Sequence, residues 1–305
     1  MSGSRWTWRL VALPGVAWLS VFFLVAFYTV LAVAFGNQDT LSQPVPHWNP
    51  LDWNVGYVSE MLDNFWHGGP FWTVSLRTIQ FVALAVLLSL LIGYPVAYFT
   101  AMHAGRWKGA ILLALILPLW INYLMRMLAW INLLAPDGVG SDVLHSVGIE
   151  DLFLSIGLLD EPGGWLNGQP VTVILALLYG YIPFFILPLF VAIDRIDRRQ
   201  IDAARDLGAS PASAFFRVTL PLSWAGILAG AVLIALPMFG DYYTADLVSA
   251  STQTNMIGNQ IDEFMRQGSE KVTGAALTLL LSTFLLALMF YYLRTTRRAG
   301  TAAEV

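Results

Sequence analysis

The chain has 305 residues, of which 57% are hydrophobic and 12% charged, and its mean hydropathy is +0.65. That balance lies outside the range of soluble globular domains and marks an integral membrane protein. Without cysteine there is no disulfide framework, thiolate metal site or cysteine nucleophile, and a net charge of -4 gives no basic footprint for nucleic acid.

Arg5 and Arg9 precede an apolar run from Leu10 to Phe35. Ala32-Val33-Ala34 has the look of a signal-peptidase site, but the run is far longer than the ~7–15 residues of a signal core and is read as a retained first span. Residues 37–70 are polar, rich in Pro, Trp and Asp, and hold no Lys or Arg. Phe71–Thr100 is the second span, followed by a short turn with His103, Arg106 and Lys108. Residues 110–134 form the third span, with Pro118, Trp120, Asn122 and Arg126 inside it. After an acidic loop, Val171–Ile193 is the fourth span, which Pro183 and Pro188 are expected to bend. Pro221 to about Val248 is the fifth span, broken by Pro237 and Gly240, and Val272–Leu293 is the sixth.

Six spans place both termini on one side. Twelve Lys and Arg lie on that side, five of them between residues 194 and 220, against Arg266 and Lys271 on the other. The positive-inside rule then puts the termini and the 194–220 loop in the cytoplasm. The expected organisation is a cytoplasmic N-terminus at 1–9, a six-helix membrane domain at 10–295 and a cytoplasmic tail at 296–305.

The 194–220 loop is the longest polar interruption that still reads as folded. Asp197 and Gln200 have capping-box spacing, with Ile196 and Ile201 flanking as a hydrophobic staple, so a short helix is expected to start near Arg198. Gly208 stands where a helix end needs a left-handed residue. Ser210-Pro211 then opens a second short helix through Phe215 and Phe216.

Asp202-Ala203-Ala204, Gly208, and Val218-x-Leu220-Pro221 resemble the EAA loop of ABC-importer permeases, E-A-A-x3-G-x9-I-x-L-P. The string DLGASPASAFFRVTLPLSWAGI is especially similar to permeases of the spermidine/putrescine type. The resemblance extends over roughly 70–295, through Gly93-Tyr94-Pro95, Pro118-Leu119-Trp120, Gly240-Asp241-Tyr242 and Ile257-Gly258-Asn259. Asp202 departs from the usual Glu by one methylene, so a contact needing the longer reach does not carry over.

The resemblance implies an all-α, six-helix type I ABC-importer permease of a bacterial inner membrane. Its implied partners are a pair of ATPase subunits, a second and probably different homologous permease, an extracytoplasmic substrate-binding protein and membrane lipid. The chain carries no cofactor of its own, since it has no G-x4-G-K-[ST] phosphate loop and ATP and Mg belong to the ATPase. Asp202, Ala203, Ala204, Arg205, Gly208, Ser210, Phe215, Leu220 and Pro221 are the implied coupling residues. The two alanines let a partner surface approach, and Arg205, Asp206 and Arg217 supply charge at the rim.

No enzyme site is legible. His47, His67, His103 and His145 are scattered through loops. Arg77 is close enough to its span end to snorkel to the interface. Arg126 lies deeper and calls for an ion pair or carbonyl partners. Asp241, Tyr242, Tyr243 and Asp246 follow the break in the fifth span, roughly 30 Å along a helix from Pro221 and so near the outer face. Carboxylates among tyrosines suit an ammonium-bearing solute, and equally a capped, interfacial helix end. Trp120 and Tyr123, one turn apart, are placed on the same path.

Polyamine import is the reading these observations favour. The alternatives are the same importer class for an aminophosphonate or ferric ion, a stand-alone secondary transporter, or a membrane enzyme. A secondary transporter often shows an internal repeat, and none is visible here.

Overall fold

In a bilayer core every backbone amide must be satisfied within its own segment, so apolar runs of this length fold as helices. The computed structural model describes residues 5–302 except 41–42, 250 and 268–269. Of the expected terminal segments, residues 1–4 and 303–305 thus lie outside the described residues.

In chain order the helices begin with α1 (Arg5–Ala34), a two-residue hairpin of β1 (Asn37–Gln38) and β2 (Pro44–Val45), and α2 (Gly56–Trp66). Next come α3 (Pro70–Met102), α4 (Lys108–Ile116), α5 (Tyr123–Leu134), α6 (Val139–Ser146), α7 (Ile149–Ser155) and α8 (Pro170–Asp194). The remainder are α9 (Arg198–Asp206), α10 (Pro211–Ala214), α11 (Leu220–Phe239), α12 (Tyr243–Val248), α13 (Ile257–Arg266) and α14 (Lys271–Ala302). Among the described residues, five helical runs are long and apolar enough to cross a membrane, and the α4–α5 pair makes a sixth if it counts as one broken span.

One compact unit comprises Met1–Trp72 and Gln260–Leu285. Its core joins Ala34, Val58 and Met61 to Ala275, Ala276 and Leu277. β1 and β2 pair antiparallel, Asn37 opposite Val45, and Phe35 stacks on Trp53 at 4.8 Å. Residues 11–26 of α1 are exposed all round.

The second unit comprises Thr73–Asn259 and Leu286–Val305. Its most extensive helix pair is α8 with α11. Small residues let the two backbones approach, as is usual where helices associate without a hydrophobic driving force. A Cβ added at Gly226 would lie 2.4 Å from the Ala192 Cβ, and one at Gly230 2.9 Å from the Phe185 carbonyl oxygen. Around that contact Phe185, Ile186, Leu189, Ile193, Ile234 and Met238 are buried. Pro183 and Pro188 lie inside α8, which continues through both.

Two spans depart from the sequence expectation. The third is not one helix over 110–134 but two, bent by 92° at a break between Trp120 and Tyr123. Pro118 sits in a 3-10 turn at Leu117–Trp120, Ile121 turns extended, and Asn122 caps the new helix by accepting from the Leu124 amide at 2.9 Å. The fifth does not begin at Pro221 and run to Val248. Its helical run is Pro211–Phe239, so α10, expected as part of a separate short helix, continues into the span. The join is a π turn at Phe215–Thr219, where the Leu220 amide reaches back to the Phe215 carbonyl. Pro221 follows this turn. A proline ring clashes with the carbonyl four residues earlier and removes one amide bond, and widening the preceding turn relieves both. Tyr243–Val248 is then a separate helix after a break at Gly240–Tyr242.

Candidate functional sites

The 194–220 loop is built by local capping. The Asp197 side chain accepts from the Arg199 amide at 3.0 Å and starts α9 at Arg198. α9 ends in a Schellman arrangement: the Gly208 amide bonds the Arg205 carbonyl at 2.9 Å, and the Ala209 amide bonds the Ala204 carbonyl at 3.0 Å. Gly208 takes φ +89°, and no other atom crowds the place a side chain would fill. Ser210 caps α10 by accepting from the Ser213 amide at 3.2 Å, with Pro211 in its first turn. The resulting elbow holds Leu207 90% exposed at its tip. Asp202, Arg205, Asp206, Ala209 and Pro211 line a shallow concavity of about 440 Å³ beside it. Ala203 is exposed, Ala204 half-buried, Leu220 half-buried and Pro221 exposed.

The loop is also tied to the bundle. Arg198 donates to the Met102 carbonyl at the end of α3, at 2.8 Å. Phe215 packs edge-on against Tyr94 and Tyr98 of α3, with ring centroids 5.4 and 5.8 Å away, and the Tyr94 hydroxyl is hydrogen-bonded to Ser223 at 2.9 Å.

The second site centres on Asp241, which is buried. Its Oδ2 accepts from the hydroxyls of Tyr123 (2.9 Å), Tyr181 (3.0 Å) and Thr244 (2.7 Å), and its Oδ1 from the Thr244 amide (2.9 Å). Tyr123 and Thr244 also share a short hydrogen bond. One carboxylate therefore ties α5, α8 and the first turn of α12 together. The expected position near the outer face is corrected by the Tyr181 bond. Tyr181 lies roughly 17 Å from the Pro170 end of α8 and roughly 20 Å from its Asp194 end, at 1.5 Å per residue, so the carboxylate sits near mid-helix.

The remaining path candidates do not all converge there. The break before Tyr123 separates it from Trp120, which is 77% exposed. Tyr243 is 40% exposed and its ring lies 3.9 Å from that of Tyr242. Asp246 is exposed and accepts from Asn259 Nδ2 at 2.8 Å, while the same amide group donates to the Tyr242 carbonyl at 2.5 Å. Arg77 does not merely snorkel: its Nη1 donates to the carbonyls of Thr252 (3.1 Å) and Asn255 (3.2 Å). Arg126 has neither an ion pair among the described residues nor carbonyl partners at two of its donors. Its buried guanidinium lies 5.2 Å from the Tyr123 ring centre and 5.9 Å from that of Tyr179, and Nε and Nη1 lack hydrogen-bond partners.

A family model described as the inner membrane component of binding-protein-dependent transport systems matches residues 3–299. The chain belongs to this family. It is the transport component of an ABC importer, a permease subunit of the inner membrane that is not itself an enzyme, and such permeases work with an ATPase and a substrate-binding protein. It is 30% identical to the spermidine/putrescine transport system permease protein PotB of Haemophilus influenzae over 298 residues, covering 95% of this chain and 94% of that relative. It is 28% identical to PotB of Escherichia coli, covering 95% and 98%. The inner membrane ABC transporter permease protein YdcU of Escherichia coli is 32% identical over 74% of this chain and 71% of its own length. Among solved structures, a chain of a bacterial alginate ABC transporter in complex with its alginate pentasaccharide-bound periplasmic protein superposes with a TM-score of 0.69 at 17% identity, covering 96% and 95%. A chain of the MetNI methionine ABC transporter in an inward-facing conformation gives 0.53 at 17% identity, covering 75% and 95%. These likenesses fix the permease fold.

Within this permease, sequence reasoning missed Tyr181, Thr244 and Tyr179. Thr244 was within reach: Asp241-x-x-Thr244 has the spacing of a side chain capping the amide three residues on. Tyr181 showed only as one hydroxyl in an apolar span, with nothing nearby in sequence to name its partner.

Proposed function

We propose that this permease forms one side of the translocation path for polyamines, spermidine or putrescine, and is driven by an ATPase docked on the 194–220 loop. The observation that carries the substrate class is the likeness to PotB proteins along nearly the whole of both chains. Supporting the loop role are its two capped helices, the left-handed Gly208 and the exposed tip and concavity that the elbow presents. The excess of Lys and Arg on this side supports a cytoplasmic position for the loop and both termini. The second permease is a homologous, different chain. Asp241 supplies the charge along the path, but only after its hydroxyl partners rearrange, because all four donors already occupy it.

One observation favours a second reading. Arg126 offers two buried guanidinium N–H groups without acceptors next to the Asp241 cluster, which suits a solute bearing an anionic group, such as an aminophosphonate.

The experiment is ATPase stimulation and uptake in proteoliposomes holding the permease pair, the ATPase and the binding protein. Spermidine or putrescine is expected to stimulate hydrolysis and accumulate. Stimulation by an aminophosphonate or ferric ion alone overturns the polyamine assignment, and uptake driven by an ion gradient without the ATPase overturns the coupling assignment.

A further inference from the structure

α9 is covalently joined only to α8 and α10, yet its root is braced to a third element. Lys108, the first residue of α4, forms a short ion pair with Asp194, the last residue of α8, three residues before the Asp197 cap. The Lys108 ammonium also lies 5.0 Å from the Phe190 ring centre, one turn back on α8. Both side chains of the pair are about one-third exposed, at 34% and 37%. An ion pair so open to solvent contributes little to stability, so its place in the structure calls for another account.

α4 itself supplies one. None of its described residues is buried, and none in the Leu117–Trp120 turn after it. The segment is therefore held at its ends: at one end by Lys108, and at the other by the 92° break into α5. The first residue beyond the break is Tyr123, whose hydroxyl binds Asp241. Residues 108–122 thus form an arm from the root of α9 to the buried carboxylate, roughly 20 Å away along α8.

We propose that Lys108 and Asp194 are the joint through which movement of the 194–220 loop reaches the third span and the Asp241 cluster. The proposal rests on reading that loop as the ATPase dock. When the loop shifts, Asp194 carries Lys108 with it, α4 swings about the break at Ile121–Asn122, and Tyr123 is drawn off or onto Asp241. Lys108 and Asp194 are positioning residues, since neither touches the path.

The test uses the reconstituted assembly and radiolabelled spermidine, or whichever solute drives wild-type hydrolysis. Lys108→Met is expected to keep basal ATPase activity and melting temperature while solute moved per ATP falls about fivefold or more, the usual lower range of a coupling between sites. Asp194→Asn should lower the same ratio, and the exchange Lys108→Asp with Asp194→Lys should recover most of it, which lost packing alone does not explain. The joint is rejected if Lys108→Met stays within about twofold of wild type or if the exchange does no better than Lys108→Met alone. Gly208→Val, measured alongside, separates the two levels. Loss of ATPase association there with a normal Lys108→Met leaves the dock standing and rejects the joint. Normal association and uptake by Gly208→Val reject both.

Discussion

At Gly208 a single dihedral angle decides the shape of the loop tip. Its φ of +89° is open to glycine and strained for a β-branched residue, while its surroundings leave room for a side chain. Gly208→Val is therefore a backbone test free of clashes, costing ~1–3 kcal/mol locally. ATPase co-purification is expected to be lost while the spans remain inserted, and Asp202→Glu to be tolerated. Asp241 presents the opposite case, in which partners rather than backbone decide. Asp241→Asn places an amide among three hydroxyl donors and is expected to lower both melting temperature and uptake, by ~1–3 kcal/mol on the stability side. Tyr181→Phe removes one donor and should cost ~0.6–2 kcal/mol, in the range measured between membrane helices. Asp246→Asn, exposed, should change little. Thermal melts read beside initial uptake rates separate these outcomes, and an Asp241→Asn protein with wild-type melting would reject the cage as a structural tie. The contrast marks what was legible. Asp197, Gly208 and Ser210 act on amides two or three residues away, so spacing reveals them. Tyr123 and Tyr181 meet Asp241 across the fold, and no local pattern names that meeting.

Helix boundaries show the same division. The apolar runs located α3, α8 and α14 closely, because length and hydropathy are properties of the segment alone. Composition did not reveal the break in the third span or the π turn in the fifth. Pro118 and Pro221 permit such departures, but neighbouring packing selects which carbonyl is released. Where α8 meets α11 the selecting feature is size. Gly226→Val would drive a side chain into Ala192 and the α8 backbone. A melting-temperature loss corresponding to ~1–3 kcal/mol is expected from such overpacking, with poorer recovery of the assembled transporter in detergent. Wild-type melting for this variant would mean that the two helices separate more readily than their contact suggests.

For the molecule as a whole, topology follows from whether α4 and α5 together cross the bilayer. If they do, both termini share a side with the 194–220 loop. With no native cysteine, single introduced thiols report this cleanly. Ser146→Cys, exposed in α6, is expected to label in intact cells, and Ala212→Cys, exposed in α10, only after permeabilisation. Ser141 lies in the same helix as Ser146 but is buried, which makes it the poorer probe. Labelling of Ala212→Cys from outside would reverse the orientation and remove the coupling role of the loop. The first helix carries a different consequence. It is anchored through Ala32 and Ala34 near one end, while residues 11–26 present apolar side chains in every direction. A cylinder that is greasy on all sides has no preferred rotation about its axis, so this stretch behaves as a cantilever whose lean follows the local thickness of the bilayer. Its individual letters should then be interchangeable with other aliphatic ones, leaving length as the property on which selection acts.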